Sequence, residues 1–268
     1  MRAGGIGWRW VGADAAVSAG RTNRPHRHPQ IVTMYLLPPG GKATRQGTAV
    51  TPALPAVEPV VMDVHLPAGV AGPDPLSFDV RCFLIPHASG VVLIDTCLPG
   101  SHDLIAPALE RIGARWRDIT DVVLTHSHAD HVGGLAEVMA RADGAAVWAG
   151  AEDHPLIPFI GQLRTLVEGG RVRELRVLQT PGHTPGHCSL VHDGASLLFA
   201  GDLVGTMAGT LTRSPAAFTA DAEQAEQTLQ QVATLEFDRV LFSHGNEIPN
   251  PLEALRHLLQ SVPQDGGK

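Results

Sequence analysis

Thr125-His126-Ser127-His128-Ala129-Asp130-His131-Val132-Gly133-Gly134 brings three imidazoles and one carboxylate into a single short run. The apolar run Val122-Val123-Leu124 leads into it. A strand is therefore expected to end here and to deliver its polar residues onto a loop at the sheet edge. His126 and His128 are two apart, so in extended backbone they leave the same face. Asp130 and His131 follow as the chain turns, and Gly133-Gly134 lets the backbone pass close beneath them. Neutral imidazole and carboxylate are donors that zinc or iron accepts.

The same device recurs along the chain. Val91-Val92-Leu93-Ile94 runs into Asp95, and Leu197-Leu198-Phe199 into Ala200-Gly201-Asp202. Val240-Leu241-Phe242 runs into Ser243-His244-Gly245, and Thr180-Pro181-Gly182-His183-Thr184-Pro185-Gly186-His187 sits between apolar runs. Taken in order, Asp95, His126-x-His128-x-Asp130-His131, His183, Asp202 and His244 resemble the five motifs of the metallo-β-lactamase fold superfamily, across about residues 60 to 250.

That resemblance implies an α/β protein, a four-layer αββα sandwich with two mixed sheets face to face and helices outside. It implies His126, His128 and His183 on one metal and Asp130, His131 and His244 on a second, with Asp202 bridging. The implied cofactors are two zinc ions per chain, with iron or manganese as other ions such donors take. Asp95 would orient a ligand histidine from behind, and His187, one Pro-Gly step beyond His183, reads the same way. His128 together with His131 points to a dinuclear hydrolase. Flavodiiron-type relatives carry Glu at the first position, and class B1 and B2 β-lactamases lack the second.

Two cations sharing one water bring its pKa from about 15.7 toward ~7. The implied reaction is attack of a metal-bridging hydroxide on a lactone or ester carbonyl, with Asp130 as the catalytic carrier of a proton to the leaving group. Thr180 to Leu190 and the segment from Cys82 to Thr96 are similar to N-acyl-homoserine lactonases. Those enzymes generally carry a Tyr shortly after the bridging Asp, whereas here Leu203-Val204-Gly205-Thr206 follows Asp202 and Tyr35 is the chain's one tyrosine. Thioester hydrolysis, β-lactam hydrolysis and persulfide dioxygenation at a single iron held by His126, His183 and Asp202 stay open as alternatives. Relatives of glyoxalase II usually add a C-terminal helical domain, and about two dozen residues follow His244 here.

Composition agrees with one sizeable globular unit: 268 residues, 44% of them hydrophobic, enough for a large core. Twenty-seven acidic against 20 basic residues give a net charge of −7, which disfavours a nucleic-acid partner. A small-molecule substrate is expected instead, with the chain a monomer or a homodimer. Three cysteines form no disulfide framework, and the cytoplasm is the expected home. No run approaches the ~18 apolar residues of a membrane span. Residues 1–33 carry five Arg, many Gly and no periodicity, and read as a disordered basic head. Residues 34–262 read as a single domain, and 263–268 as a tail.

Within that domain, strands are expected at Ile31–Leu37, Val60–Val64, Phe78–Ile85 and Val91–Asp95. A helix capped by Ser101 should follow, with Pro107 an awkward residue inside it. A further helix is expected from Val132 to Ala140, and a helix capped by Asp221 precedes a closing one at Leu252–Leu259. The pattern divides into two similar halves, roughly 31–145 and 146–262. The loop at 66–76, with Phe78 nearby, is a candidate wall for the substrate by analogy with the resembled family. The connection from Gly205 to Phe218 leaves directly from Asp202, so Met207, Leu211 and Arg213 are candidate substrate contacts.

Overall fold

β1 (Glu58–Leu66) alternates strictly, with Val60, Met62 and Val64 buried between exposed neighbours, the period-two pattern of a strand with one covered face. The computed structural model describes residues 56–69 and 73–261. The head at 1–33, the strand expected at Ile31–Leu37, the start of the domain, part of the 66–76 loop and the 263–268 tail lie outside the described residues. β2 (Leu76–His87) pairs antiparallel with β1, from Glu58↔Leu84 to Leu66↔Leu76. β3 (Gly90–Ile94) continues antiparallel. β4 (Ile119–Val123), β5 (Ala146–Gly150) and β6 (Leu163–Leu166) then add in parallel, completing a six-stranded sheet.

The second sheet comes from the later chain. β7 (Arg171–Val172), β8 (Leu175–Gln179), β9 (Cys188–His192) and β10 (Leu197–Phe199) run antiparallel in turn. β11 (Val204–Met207) and β12 (Thr210–Arg213) form a separate hairpin. β13 (Arg239–Leu241) pairs parallel with β10, so the order is β13-β10-β9-β8-β7.

Three apolar clusters make the layers. Phe83, Ile85, Val92, Ile94 and Val123 of the first sheet meet Leu175, Val177, Leu190, Leu197 and Phe199 of the second. On the outer face of the first sheet, Val80, Leu84, Leu93 and Val122 pack with Ile105 and Leu109 of α1 (His102–Arg111), Val132 of α2 (Ala129–Val132) and Leu135 and Val138 of α3 (Leu135–Met139). On the outer face of the second, Leu198 and Val240 pack with Leu229 and Val232 of α4 (Ala222–Val232) and Leu255 of α5 (Pro251–Gln260). Helix, sheet, sheet and helix are thus the four layers of an αββα sandwich. Each fully buried Leu, Ile or Phe contributes ~1.5–3 kcal/mol of hydrophobic stabilisation.

Four expectations need correction. The sheets divide near residues 167–170 rather than at 145, because β5 and β6 extend the first sheet. β6 is hard to see in sequence, since only Leu166 of its four residues is fully buried. The helix expected at Val132 begins at Ala129, so Asp130 and His131 lie inside its first turn, and Gly133-Gly134 separates it from α3. Ser101 stands at the N-cap of α1 but its hydroxyl donates to the Thr96 carbonyl (2.6 Å) instead of capping, and the helix runs through Pro107. The connection at 205–218 is largely the β11–β12 hairpin. Its turn, Ala208-Gly209, has φ of 49° and 78°, the left-handed pair a tight hairpin turn needs.

Candidate metal centre

β3, β4, β8, β10 and β13 all deliver site residues just beyond their C-terminal ends: Asp95, His126, His183, Asp202 and His244. β3 and β4 are parallel, as are β10 and β13, so these ends collect on one edge of the sandwich. Main-chain bonds stitch the edge together. Cys188 N–H donates to Thr125 O (2.8 Å) and Arg81 N–H to Ser243 O (2.9 Å), both between the two sheets.

Three groups of side chains converge there. His126, His128 and His183 offer one nitrogen each within 4.8 Å of one another, as do the ligand atoms of Asp130, His131 and His244, and those of His126, His131 and Asp202. His183 Nε2 lies 3.0 Å from His128 Nδ1. Asp202 stands at the centre: Oδ2 is 3.9 Å from His126 Nε2, 3.4 Å from His183 Nε2 and 3.3 Å from His244 Nε2, and Oδ1 is 3.3 Å from His131 Nε2. Asp130 Oδ2 is 3.4 Å from His244 Nε2, and its Oδ1 is 3.9 Å from His131 Nε2.

Partners behind the rings decide which nitrogen faces inward. Asp95 Oδ2 accepts from His131 Nδ1 (2.9 Å) and from the Thr125 hydroxyl (2.8 Å), while Oδ1 accepts from Thr125 N–H (2.7 Å). The Asp79 carbonyl accepts from His244 Nδ1 at 2.7 Å. His187 packs its ring against that of His126, centroids 5.2 Å apart, and accepts from the backbone N–H of Asp202.

Charge follows from burial and proximity. Burial pushes the His126, His128 and His183 imidazoles down, His183 to about 3. Burial acts the same way on His131 and His244, but the carboxylate of Asp202 beside them, helped by Asp130, outweighs it and holds both up. Burial alone would raise Asp202, yet His131 and His244 keep it well below the usual carboxylate range. The three-histidine group thus presents neutral imidazoles beside an anionic carboxylate, the ligand forms a metal requires. His126 Nε2 is buried with no hydrogen-bond partner, whereas His131 Nε2 and Asp202 Oδ1 face only each other, poorly aligned across 3.3 Å. A buried polar atom left unsatisfied costs about 1–3 kcal/mol, and a divalent cation among the three removes that cost. The donor set fits a metal.

Two functional residues have no signature in the sequence. Asp153, wholly buried after β5, accepts hydrogen bonds from Ser127, Thr184 and Gly186. Asp79 on β2 backs His244 with its carbonyl, and its carboxylate takes Gly245 N–H (3.2 Å) and Arg81 Nε (2.8 Å). Asp153 stands between Glu152 and His154 and Asp79 beside Arg81, but nothing in those neighbours says which of them is buried behind the histidines, so only the fold reveals them.

The expected substrate contacts separate. Phe78 stands edge-on to the His244 ring, centroids 5.6 Å apart, and Met207 is 71% exposed. Leu211 is buried in the core beside Leu203, Val204 and Phe237, so it does not face a substrate. Arg213 donates to both oxygens of Glu226 (2.8 and 2.9 Å) and to Leu258 O (3.0 Å). It fastens β12 to α4 and α5, and has no fork left for a ligand. Cys82, Cys97 and Cys188 are free and buried, and burial pushes Cys188 up to about 12, so it is no nucleophile. No helix among the described residues is long and apolar enough to cross a membrane.

Comparison with known proteins agrees with this geometry. The model of the metallo-beta-lactamase superfamily matches residues 77–244. The chain is 31% identical to the probable metallo-hydrolase YflN of Bacillus subtilis (strain 168), over 60% of this chain and 76% of that one. It is 34% identical to the hydroxyacylglutathione hydrolase of Rhodospirillum rubrum, over 71% and 68%. Among solved structures, TTHA1623 in a di-iron-bound form is 28% identical, with a TM-score of 0.55 over 65% of this chain and 92% of that one. A metallo-beta-lactamase family protein from Thermus thermophilus shares the fold at 20% identity, TM-score 0.59, over 75% and 78%. The chain belongs to the metallo-beta-lactamase superfamily. It is a metal-dependent hydrolase of that superfamily.

Proposed function

We propose that the chain is a dinuclear zinc hydrolase that opens a lactone or ester carbonyl in a small-molecule substrate. The observation that carries this reading is the position of Asp202. Its two oxygens lie 3.3–3.9 Å from Nε2 of His126, His131, His183 and His244, so one carboxylate stands between two groups of ligands. In this reading His126, His128 and His183 would hold one ion and Asp130, His131 and His244 the other, with Asp202 in reach of both. Bound zinc supplies Lewis acidity toward a carbonyl and a water acidified toward pKa ~7.

The chain's own residues supply the rest. Burial holds the three-histidine group neutral, so no proton has to leave before an ion enters. Asp95 and the Asp79 carbonyl each take an Nδ1–H, which keeps Nε2 of His131 and His244 turned inward. Asp130 has a side chain 25% exposed, so with His128 and His244 it belongs to the half-buried, open side of the cluster. Its Oδ1, the less engaged oxygen, would take the proton that the attacking water gives up and pass it to the leaving oxygen, which departs as the alcohol.

A second reading, thioester hydrolysis, is favoured by the 34% identity to hydroxyacylglutathione hydrolase. Metal analysis of the purified protein combined with a panel of lactones, esters, thioesters and β-lactams decides between them. Two zinc ions per chain with fastest turnover of an oxygen ester support the proposal. A clear preference for the thioester, or one iron per chain with oxygen consumption on a persulfide, sinks it.

A further inference from the structure

We propose that Asp153 is the positioning residue of the three-histidine site, a buried carboxylate that sets the distance of His183 from His126 and His128 and so the affinity of that site for a divalent cation. Asp153 is 0% exposed and lies in the short 3-10 segment Ala151–Leu156 that leaves β5. Its hydrogen-bond partners are neutral donors. Oδ2 accepts from Ser127 N–H (2.8 Å) and from the Thr184 hydroxyl (2.7 Å), and Oδ1 accepts from Gly186 N–H (2.8 Å).

The identity of those donors is the argument. Ser127 lies between His126 and His128, and Thr184 directly follows His183. One side chain therefore grips the residue adjoining every histidine of the group, across the gap between the two sheets. The grip is close: a Cβ on Gly186 would come within 2.6 Å of Asp153 N and 2.8 Å of its Cγ. The His183 loop closes over the carboxylate because residue 186 is glycine.

Stability alone does not call for such a residue. A carboxylate taken out of water costs free energy until its lone pairs are satisfied, and an apolar replacement of similar volume is often neutral or better for folding. What an apolar side chain cannot do is fix two backbone segments at a set separation. Groups behind metal ligands that do so are worth roughly 10–100-fold in metal affinity.

The inference rests on the reading of His126, His128 and His183 as metal ligands, and the test separates the two. Zinc affinity is measured by competition with a chromophoric chelator in the full-length wild type, Asp153→Asn, Thr184→Val and Thr184→Ser. Cobalt(II) absorption reports the ligand geometry, and melting of the metal-free forms reports folding. Asp153→Asn keeps the volume but turns an amide NH2 toward a donor, so one site of the pair is expected to weaken about 10–100-fold with an altered cobalt spectrum. Thr184→Val loses one bond and should weaken the same site less, and Thr184→Ser should restore it. Wild-type affinity and spectrum in both Asp153→Asn and Thr184→Val overturn the inference. Should Asp153→Asn not fold, Thr184→Val decides by the same criterion. A wild type that binds no metal refutes the ligand reading instead.

Discussion

The main-chain N–H of Asp202 donates to Nε2 of His187 across 3.0 Å. On the other side of the ring, Nδ1 donates to Thr180 O at 3.1 Å, with the Thr180 hydroxyl 2.8 Å away. That pair of bonds requires the neutral Nδ1–H tautomer, and burial holds the imidazole at about 4. Gly201, at φ 59°, leaves room for the contact: a Cβ there would lie 2.6 Å from Nε2. His187 therefore acts on the backbone that carries the central carboxylate.

The first prediction follows from this contact. His187→Ala leaves the Asp202 amide buried without an acceptor, a cost of about 1–3 kcal/mol, and lets the carboxylate drift. Zinc content and kcat should both fall, and His187→Gln should recover part of each through its side-chain oxygen. Undiminished zinc and turnover in His187→Ala would show that Asp202 is held by something else. Gly201→Ala should be worse than either, since both the left-handed backbone and the ring oppose it.

Asp95 offers a cleaner separation of the two ligand groups. Its carboxylate accepts from His131 Nδ1 and twice from Thr125. Asp95→Asn presents an NH2 to at least one of these donors. Affinity at the Asp130–His131–His244 group should fall about 10–100-fold, and the His126–His128–His183 group should weaken less, through Thr125, whose hydroxyl lies 3.1 Å from His126 Nδ1. Equal loss at both, in a stoichiometric titration, would contradict the assignment.

Asp130→Asn keeps the size and one oxygen but cannot carry a proton. Turnover should drop about 10²–10⁴-fold, the scale of general acid–base help, while zinc content falls less. Wild-type turnover in a mutant that retains two metals would remove Asp130 from the proton path.

What the sequence reveals of this site, and what it hides, has a physical cause. His126, His128, Asp130, His131, His183, Asp202 and His244 are legible because each follows an apolar run, and strand ends expose their polar residues in a recognisable order. Asp153 and Asp79 are not. Both act through hydrogen bonds with remote segments, Asp153 with Ser127, Thr184 and Gly186 and Asp79 with His244 and Gly245, and such bonds leave no periodicity or spacing behind. The β11–β12 hairpin is hidden because Ala208-Gly209 supplies left-handed backbone without Asn or Asp. Leu211 and Arg213 are misread for the same reason: as a loop they would sit at the rim, but two apart on β12 they leave the same face, Leu211 into the core beneath α4 and α5 and Arg213 onto Glu226 of α4.

Away from the site, Asp121 joins β4 to its surroundings. It accepts from Arg173 Nε (2.7 Å), Trp148 Nε1 (2.9 Å) and the Thr120 hydroxyl (2.8 Å). Burial alone would raise its pKa, but these donors and the Arg173 charge together hold it below the usual value of 3.8. A carboxyl lowered in the folded state contributes stability that is present above its unfolded pKa and lost as pH falls through the folded one. Asp121→Asn should therefore lower Tm at pH 7 and lose less than the parent as pH falls below about 4. Parallel Tm-versus-pH curves for mutant and parent would show that Asp121 does not contribute to the acid limb.

The last prediction concerns the hairpin beside His244. Thr206 N–H donates to His244 O at 3.0 Å, so the tip that follows, with Met207 largely exposed, stands next to a site residue. Arg213, on the returning strand, is committed to Glu226 and Leu258. The two residues should respond differently. Arg213→Ala should cost about 1–2 kcal/mol of stability, the range for a partly exposed, multiply bonded ion pair, and leave KM unchanged. Met207→Ala should leave Tm unchanged but raise KM for long acyl chains more than for short ones. Its kcat should stay within about twofold, because the side chain would meet the substrate away from the reacting carbonyl. Steady-state kinetics on a series of esters or lactones of increasing chain length checks both. A chain-length dependence identical in Met207→Ala and the parent would make the hairpin tip a bystander. A raised KM in Arg213→Ala without a loss of Tm would mean that its fork leaves Glu226 to meet the substrate.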